Sequence, residues 1–384
     1  MTLDKLLYPS DLYQGKPRIQ KLEGGAQDFV FGGADIEFRT KKGGDLDGFM
    51  VHALVNYDVA NADLVFLPRA PWSIFSRVKF KPQGRLQFID SVSSYSLAVH
   101  DWHTKGLSPF VYGARDLRPS GLQASAGVNA LIEAFPKAVG AENVADLWFY
   151  VSARRSATDS RGRIPLSNDQ ELRLVLTPNT KANLVTTAAN FVDPDLLQVT
   201  VWQVTYDDAP QGVNIAAVDR NWCVLIEEKE VVAQVGRNEI PLLPDGSLIL
   251  GVGVTCALNA TQATSGIIDS LDLRVDKAYI WEPQTDPLAF YFWNKRTYGT
   301  PCIDGIFYFD FDAMADTDGP LWKSFPPADP AFASSKVQPS LGRMLNTASA
   351  VGKEIIVGFD IPSGTVLGAT PRFYVTTRKL VQVG

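Results

Sequence analysis

Polar and apolar positions alternate most cleanly between Glu171 and Thr177. Leu172, Leu174 and Leu176 fall on one side of an extended chain, and Glu171, Arg173, Val175 and Thr177 on the other. Period two with one apolar face predicts a half-buried strand, because successive side chains leave opposite faces. Earlier, Leu147 to Ala153 begins apolar and aromatic on both faces. Such a run predicts a strand covered on both sides. The connection between the two is polar and carries Arg154, Arg155, Arg161 and Arg163.

The same grammar runs along the chain. Strands are predicted within Asp28–Thr40, Gly48–Tyr57 and Ile74–Phe80, as a pair within 85–103, and over Leu196–Tyr206, a run of β-branched and aromatic residues. Val128, Leu131, Ile132 and Phe135 suggest a short helix ended by Pro136. Asp207–Gly212 is a turn cluster and the expected boundary between two domains, 24–207 and 213–384. After it, strands are predicted again at Gly246–Leu258, Leu271–Val275, Gly305–Asp310 and Arg372–Val381.

The halves share an order. Each has a strand led by glycine (Gly48, Gly246), an Arg-Val strand (Arg77-Val78, Arg274-Val275), an aromatic strand (Asp146–Val151, Gly305–Asp310) and a long closing strand. Gly48 lies 30 positions before Val78, and Gly246 lies 29 before Val275, so one strand-rich unit used twice accounts for the pattern. Short strands, Gly- and Pro-rich turns and no sustained helical period predict an all-β sandwich or barrel with little helix. The connections 58–73, 104–125, 259–268 and 313–340 exceed hairpin length. Loops of that size tend to be functional or to contact partners.

Composition sets limits on function. The 384 residues are 46% hydrophobic and 20% charged, which supports a sizeable core and two domains. A net charge of −6 opposes general nucleic-acid binding, so no direct nucleic-acid partner is expected. Cys223, Cys256 and Cys302 cannot all pair within one chain, which points to a reducing folding compartment. No apolar run reaches the roughly eighteen residues of a membrane helix. The first residues lack the apolar core of a signal peptide, so folding in a cytoplasm is expected. Residues 1–23 read as an arm. Pro9, Gly15 and Pro17 limit any helix there to about two turns. Lys5, Lys16, Arg18 and Lys21 outweigh Asp4 and Asp11, so the arm is mildly basic. It suits solvent or a neighbouring chain, and lipid headgroups are the sharper alternative.

Chemical motifs are few. His100 and His103 flank Asp101 and Trp102, but in a strand the two histidines face opposite sides, so no metal site is expected. His52 alternates with Val51 and Ala53 and reads as a packed or rim histidine. Asp310, Asp312, Asp316 and Asp318 are hard oxygen ligands at alternate positions, the one weak candidate for calcium. Their spacing departs from the EF-hand loop, so a solvated strand end is the expectation. The same acids could pose as a glycosidase pair, with nothing in the sequence to fix their separation. Phosphate-binding glycine loops, Gly-x-Ser-x-Gly, His-Glu-x-x-His and Cys-x-x-Cys are absent from the sequence. No catalytic residue, cofactor or obligatory metal is therefore expected.

Four stretches resemble the tectivirus-like double jelly-roll major capsid proteins of tailless phages with an internal membrane. Gly48–Val55 and Ile74–Phe80 resemble the family's early strands. Asp146–Val175 resembles its aromatic strand, the turn at Ser156–Asp159 and the following Leu-Arg-Leu strand. Phe373–Gly384 resembles its closing strand and tail. The resemblance implies two side-by-side eight-stranded jelly rolls with long connecting loops. It implies homotrimers, pseudo-hexagonal in outline, that tile an icosahedral shell around lipid. It also implies contacts with neighbouring trimers, with minor capsid or vertex proteins and with internal membrane lipids. Phe110, Leu122, Arg154, Arg155, Trp322 and Phe325, on or beside the long loops, are the expected subunit contacts. The basic arm residues Lys5, Lys16, Arg18 and Lys21 would lie on the inner face. The family's longer N-terminal helix is a point of departure, since Pro9 and Pro17 interrupt it here. Two other classes suit a β-sandwich: a carbohydrate-binding or receptor-attachment module, and a glycan-active enzyme.

Overall fold

The structure is a computed structural model that describes residues 17–61, 64, 67, 69, 72–82, 89–105, 139, 142–152, 164–166, 172–192, 196–206, 222–243, 245, 247–258, 266–275, 278–298, 305–311, 345–346 and 354–382. In the first half the strands are β1 (Pro17–Asp28), β2 (Ile36–Arg39), β3 (Asp45–Asp58), β4 (Phe75–Pro82), β5 (Ile89–Val92), β6 (Glu142–Ser152), β7 (Ile164–Pro165), β8 (Leu172–Pro178) and β9 (Leu196–Tyr206). Helix α1 (Ser94–Lys105) sits between β5 and β6. The second half has β10 (Trp222–Val232), β11 (Gly236–Leu242), β12 (Leu248–Ala257), β13 (Ser270–Val275), β14 (Ala278–Thr285), β15 (Ile306–Asp310), β16 (Leu345–Asn346), β17 (Ile355–Ile361) and β18 (Arg372–Gln382). Helix α2 (Pro287–Tyr298) sits between β14 and β15.

The halves have one topology. The order β1-β9-β3-β6 in the first is β10-β18-β12-β15 in the second, and β2-β8-β4-β5 is matched by β11-β17-β13-β14. Each half is a sandwich of these two four-stranded sheets. Phe49 on β3 meets Phe80 on β4 with ring centroids 5.1 Å apart, and Phe359 on β17 meets Phe373 on β18 at 5.0 Å, so aromatic pairs bridge the sheets in both. The architecture is the double jelly roll, with β7 and β16 as small additions.

The rolls are not separate sheets throughout. Strand β5 pairs in parallel with β10 through Ile89–Ile226 and Asp90–Glu227. Those two residue pairs join one sheet of each roll into a path that runs from β15 to β2.

The repeat extends to single residues. In both rolls the third strand bulges against the closing strand, between Leu46 and Gly48 and between Ile249 and Gly251. Gly48 pairs with Ser152 of β6, and Gly251 pairs with Asp310 of β15. Two residues earlier on those partner strands stand Tyr150 and Tyr308. A Cβ on Gly48 would lie 2.8 Å from the Tyr150 hydroxyl, and one on Gly251 would lie 2.7 Å from that of Tyr308. A tyrosine lies over each bulge and excludes a side chain there, and at Gly48 the Val151 carbonyl oxygen excludes it as well.

Several expectations change. The glycine equivalent to Gly48 is Gly251; Gly246 precedes β12 and is outside the described residues. Residues 94–103, read as strand, are helical. Short apolar runs fit either period, and the Ser93 side chain decides the matter by accepting the Ser96 N–H at 3.2 Å as an N-cap. The sheet starts at Pro17, so Arg18 and Lys21, assigned to the arm, belong to β1. Strand β1 is held by the ladder to β9, from Pro17–Tyr206 to Asp28–Gln198, which a polar sequence does not announce. The helix expected at 128–135 and the boundary at 207–212 fall outside the described residues.

Candidate functional site

The seam between the rolls is built from β5, α1 and the segment before β4 on one side, and from β10, β18, β12 and β15 on the other. Arg69 is the central cation. Its Nη2 lies 2.9 Å from Glu228 Oε1 on β10, and the two side chains are only 12% and 7% exposed. It also donates to the Ser93 hydroxyl, and its guanidinium lies 3.5 Å from the centre of the Tyr374 ring. Burial disfavours the Arg69 charge, but Glu228 and Tyr374 outweigh it and leave the pKa raised. Glu228 Oε2 accepts the Ser93 N–H at 2.9 Å and its hydroxyl at 2.8 Å. The N-terminus of α1 is thus anchored on the second roll, with a carboxylate where the helix dipole favours one. Farther along, Tyr95 hydrogen-bonds Thr255 on β12, and burial raises its pKa. His100 Nδ1 lies 3.0 Å from the Tyr308 hydroxyl on β15. A cleft of about 700 Å³ opens beside the seam, lined by Arg69, Ser93, Asn179, Glu228, Arg372 and Tyr374. Its buried charges, Arg69 and Glu228, are engaged with each other, which suits a joint better than a catalytic centre.

The outer face of β10-β18-β12-β15 is therefore covered by the first roll. Val224, Ile226, Leu248, Leu250, Ile306 and Leu380 pack into the first roll's core, while Ile249, Val252, Val254, Phe307 and Phe373 pack into the second's. The equivalent face of β1-β9-β3-β6 is half-exposed. It carries a flat aromatic stack: His52 on Trp148 at 4.2 Å and 12°, and Trp148 beside Trp202 at 5.4 Å and 19°. Lys21 Nζ lies 6.0 Å from the centre of the Trp202 ring.

Registers align the two faces residue by residue. Ile19 and Ile226 are equivalent, as are Lys21 and Glu228. Ile226 is 3% exposed and Ile19 56%. The helices align as well. Each has 12 residues and follows its strand after one capping residue, Ser93 or Asp286. Asp286 Oδ1 accepts the Leu288 N–H at 2.6 Å. Phe290 faces its own roll, on Phe309 at 4.8 Å. On the opposite side Leu288 and Phe292 are 64% and 68% exposed, whereas Tyr95 and Val99, at the same helical positions of α1, are 2% and 4% exposed.

The residues singled out from the sequence mostly lie elsewhere. Phe110, Leu122, Arg154, Arg155, Trp322, Phe325, Lys5, Lys16, Asp312, Asp316 and Asp318 are outside the described residues. Asp310 ends β15 opposite Gly251. Among the described residues no cluster of three or more His, Cys, Asp or Glu could hold a metal ion, and no helix is long and apolar enough to cross a membrane. Sequence reading missed Arg69, Glu228 and the helix α2. Asp286-Pro287 was an available signal for α2, since an Asp cap followed by proline at the first helical position opens helices.

No family model matches the chain. No curated protein matches it in sequence. Among solved structures, it is similar to the STIV major capsid protein with a TM-score of 0.60 at 13% identity, over 96% of this chain and 97% of that one. The Faustovirus major capsid protein gives 0.55 at 10% identity, over 96% and 90%. The major capsid protein of bacteriophage PM2 gives 0.50 at 10% identity, over 96% and 98%. Alignment over nearly the full length of each chain extends to both rolls, and the chain has the double jelly-roll fold of these viral major capsid proteins.

Proposed function

We propose that this chain is the major capsid protein of a virus and builds the virion shell. The observation that carries the reading is the duplication: two complete eight-stranded rolls of identical order in one chain, aligned end to end with capsid proteins. One roll is a wedge, and a fused pair is a doubled wedge. Three chains then supply six wedges around an axis, a pseudo-hexagon that tiles a closed surface with few gaps. On this reading the protein is a homotrimer, its neighbours are further trimers and minor vertex proteins, and the shell encloses a lipid membrane. The function is structural, with no catalytic step and no cofactor, and the chain folds in the host cytoplasm before assembly. The rolls divide within 207–221, and residues 1–16, with Lys5 and Lys16, lie toward the inner face. Phe110, Leu122, Arg154, Arg155, Trp322 and Phe325 serve contacts between subunits.

Light scattering on purified protein, followed by electron microscopy, tests this. Trimers that grow into closed shells or sheets as salt is varied are expected. A stable monomer at micromolar concentration with no larger species overturns it. Deleting residues 1–16 should impair membrane association, and an unchanged particle would remove the arm from the account. A second reading rests on the stack of His52, Trp148 and Trp202, since aromatic platforms also bind sugar rings. Glycan-array binding that is lost in Trp148→Ala, by a protein that stays monomeric, would favour a carbohydrate-binding module.

A further inference from the structure

We infer that the outer face of β1-β9-β3-β6 is the seat for helix α2 of a second copy of this chain, with Lys21 of one copy paired to Asp286 of the next. The inference rests on the self-associating reading above and specifies the surface that closes the ring.

The argument is the repeat. Within one chain, α1 of the first roll seats on the outer face of β10-β18-β12-β15, with Ser93 at its N-terminus bound to Glu228 and with Tyr95 and His100 reaching Thr255 and Tyr308. Each half of that contact has an equivalent elsewhere in the chain. The sheet's equivalent is β1-β9-β3-β6, and the helix's is α2. Neither is covered by the described residues to the same degree. Ile19 is exposed where Ile226 is buried, and Leu288 and Phe292 are exposed where Tyr95 and Val99 are buried. One chain cannot bring its own two ends together if the rolls lie side by side. A second copy supplies both missing halves at once in a head-to-tail contact, the kind that generates rings.

Charge selects the same pairing. Superposing the intrachain seam on the interchain one puts Lys21 at the place of Glu228 and Asp286 at the place of Ser93. Glu228 accepts from Ser93 within the chain; between chains, an exposed ammonium faces an exposed carboxylate at the helix cap. The new contact is no replica. His52, Trp148 and Trp202 occupy the positions of Thr255, Ile306 and Thr376. Helix α2 would therefore rest Leu288 and Phe292 on a flat aromatic platform, whereas α1 lies against smaller residues. Aromatic rings near the centre of a contact with charges at its rim are what stable protein interfaces show.

The test is a charge exchange followed by sedimentation velocity. Lys21→Asp and Asp286→Lys should each weaken self-association by about tenfold or more, and the double variant should recover most of the loss. Phe292→Ser should weaken association while leaving the far-ultraviolet circular dichroism unchanged, since its side chain is exposed in the single chain. If the wild type assembles and all of these variants assemble equally well, the seat is elsewhere and the coat reading stands. Failure of the double variant to regain what the singles lose overturns the Lys21–Asp286 pairing. A wild type that never self-associates overturns the coat reading and this inference together.

Discussion

The sheets β1-β9-β3-β6 and β10-β18-β12-β15 have one strand order, one bulge, one glycine and one covering tyrosine, yet their outer faces differ. On the second, Gly253, Thr255, Ile306 and Thr376 lie under the first roll and are buried. On the first, Met50, His52, Trp148 and Trp202 hold the same positions and are half-exposed. Small side chains let a helix approach closely, whereas large flat ones keep a surface partly covered without a neighbour. Strand order thus defines the roll, and the outward residues of one sheet define what the roll sits against.

Charges give the sharpest way to break that comparison. Arg69→Met leaves Glu228 buried without its cation and should lower stability by about 3–5 kcal/mol in urea unfolding. Lys21→Met, at the position equivalent to Glu228, should change single-chain stability by less than about 0.5 kcal/mol, because it removes only an exposed charge. Equal losses would mean that the two sheets are held alike.

The bulge glycines come next. Gly48→Ala and Gly251→Ala should each cost about 1–3 kcal/mol, because a methyl group must be forced under a tyrosine. Tyr308→Phe should recover part of the Gly251→Ala loss, since the Cβ would press on the Tyr308 hydroxyl. Tyr150→Phe should rescue Gly48→Ala poorly, since there the Cβ would also overlap the Val151 carbonyl oxygen. Double-mutant cycles by thermal unfolding measure both.

These same positions show what the sequence revealed and what it hid. Alternation at Leu172, Leu174 and Leu176 marked β8 because one face of that strand is core and the other is not. The aromatic and closing strands were legible for similar reasons, and their repeated order pointed to duplication. The seam was not legible. Arg69 and Glu228 are 159 positions apart, and nothing local to either tells a buried pair from two surface charges. Strand β10 was hidden because Glu227, Glu228, Lys229 and Glu230 look like a solvated stretch. Glu228 is charged for the seam, a partner that only the fold supplies. Helix α1 was hidden because Ser94 to His100 are all buried, polar and apolar alike, so its sequence shows no helical alternation of a polar and an apolar face.

Helix caps give a smaller effect. Ser93→Ala and Asp286→Ala should each cost about 1 kcal/mol, with Ser93 the more costly because it also binds Glu228. Differential scanning calorimetry would rank them, and the reverse order would contradict the anchoring of α1.

The smallest effect concerns Lys379, which stands where the first roll has Thr205. It lies 2.7 Å from both Glu227 and Asp245. Burial works against the Asp245 charge, but hydrogen bonds from Lys379 and Ser247 prevail and hold its pKa down to about 2. A folded-state value below the unfolded one stabilises above the ordinary carboxylate range near pH 4, and that contribution disappears as pH falls toward 2. Carboxyl-carbon NMR should show the low midpoint in the wild type and a return toward the ordinary value in Lys379→Met. An unshifted midpoint in the wild type would refute the pair.

The central claim is that a second copy covers the aromatic face of the first roll, and hydroxyl-radical footprinting tests it most directly. Trp148 and Trp202 on that face are compared with Trp72, which is buried inside the single chain. In the assembled protein Trp148 and Trp202 should be oxidised nearly as slowly as Trp72. In Phe292→Ser, dissociated by dilution, both should be oxidised several-fold faster while Trp72 stays unchanged. Equal oxidation of Trp148 and Trp202 in the assembled and dissociated protein would contradict the account.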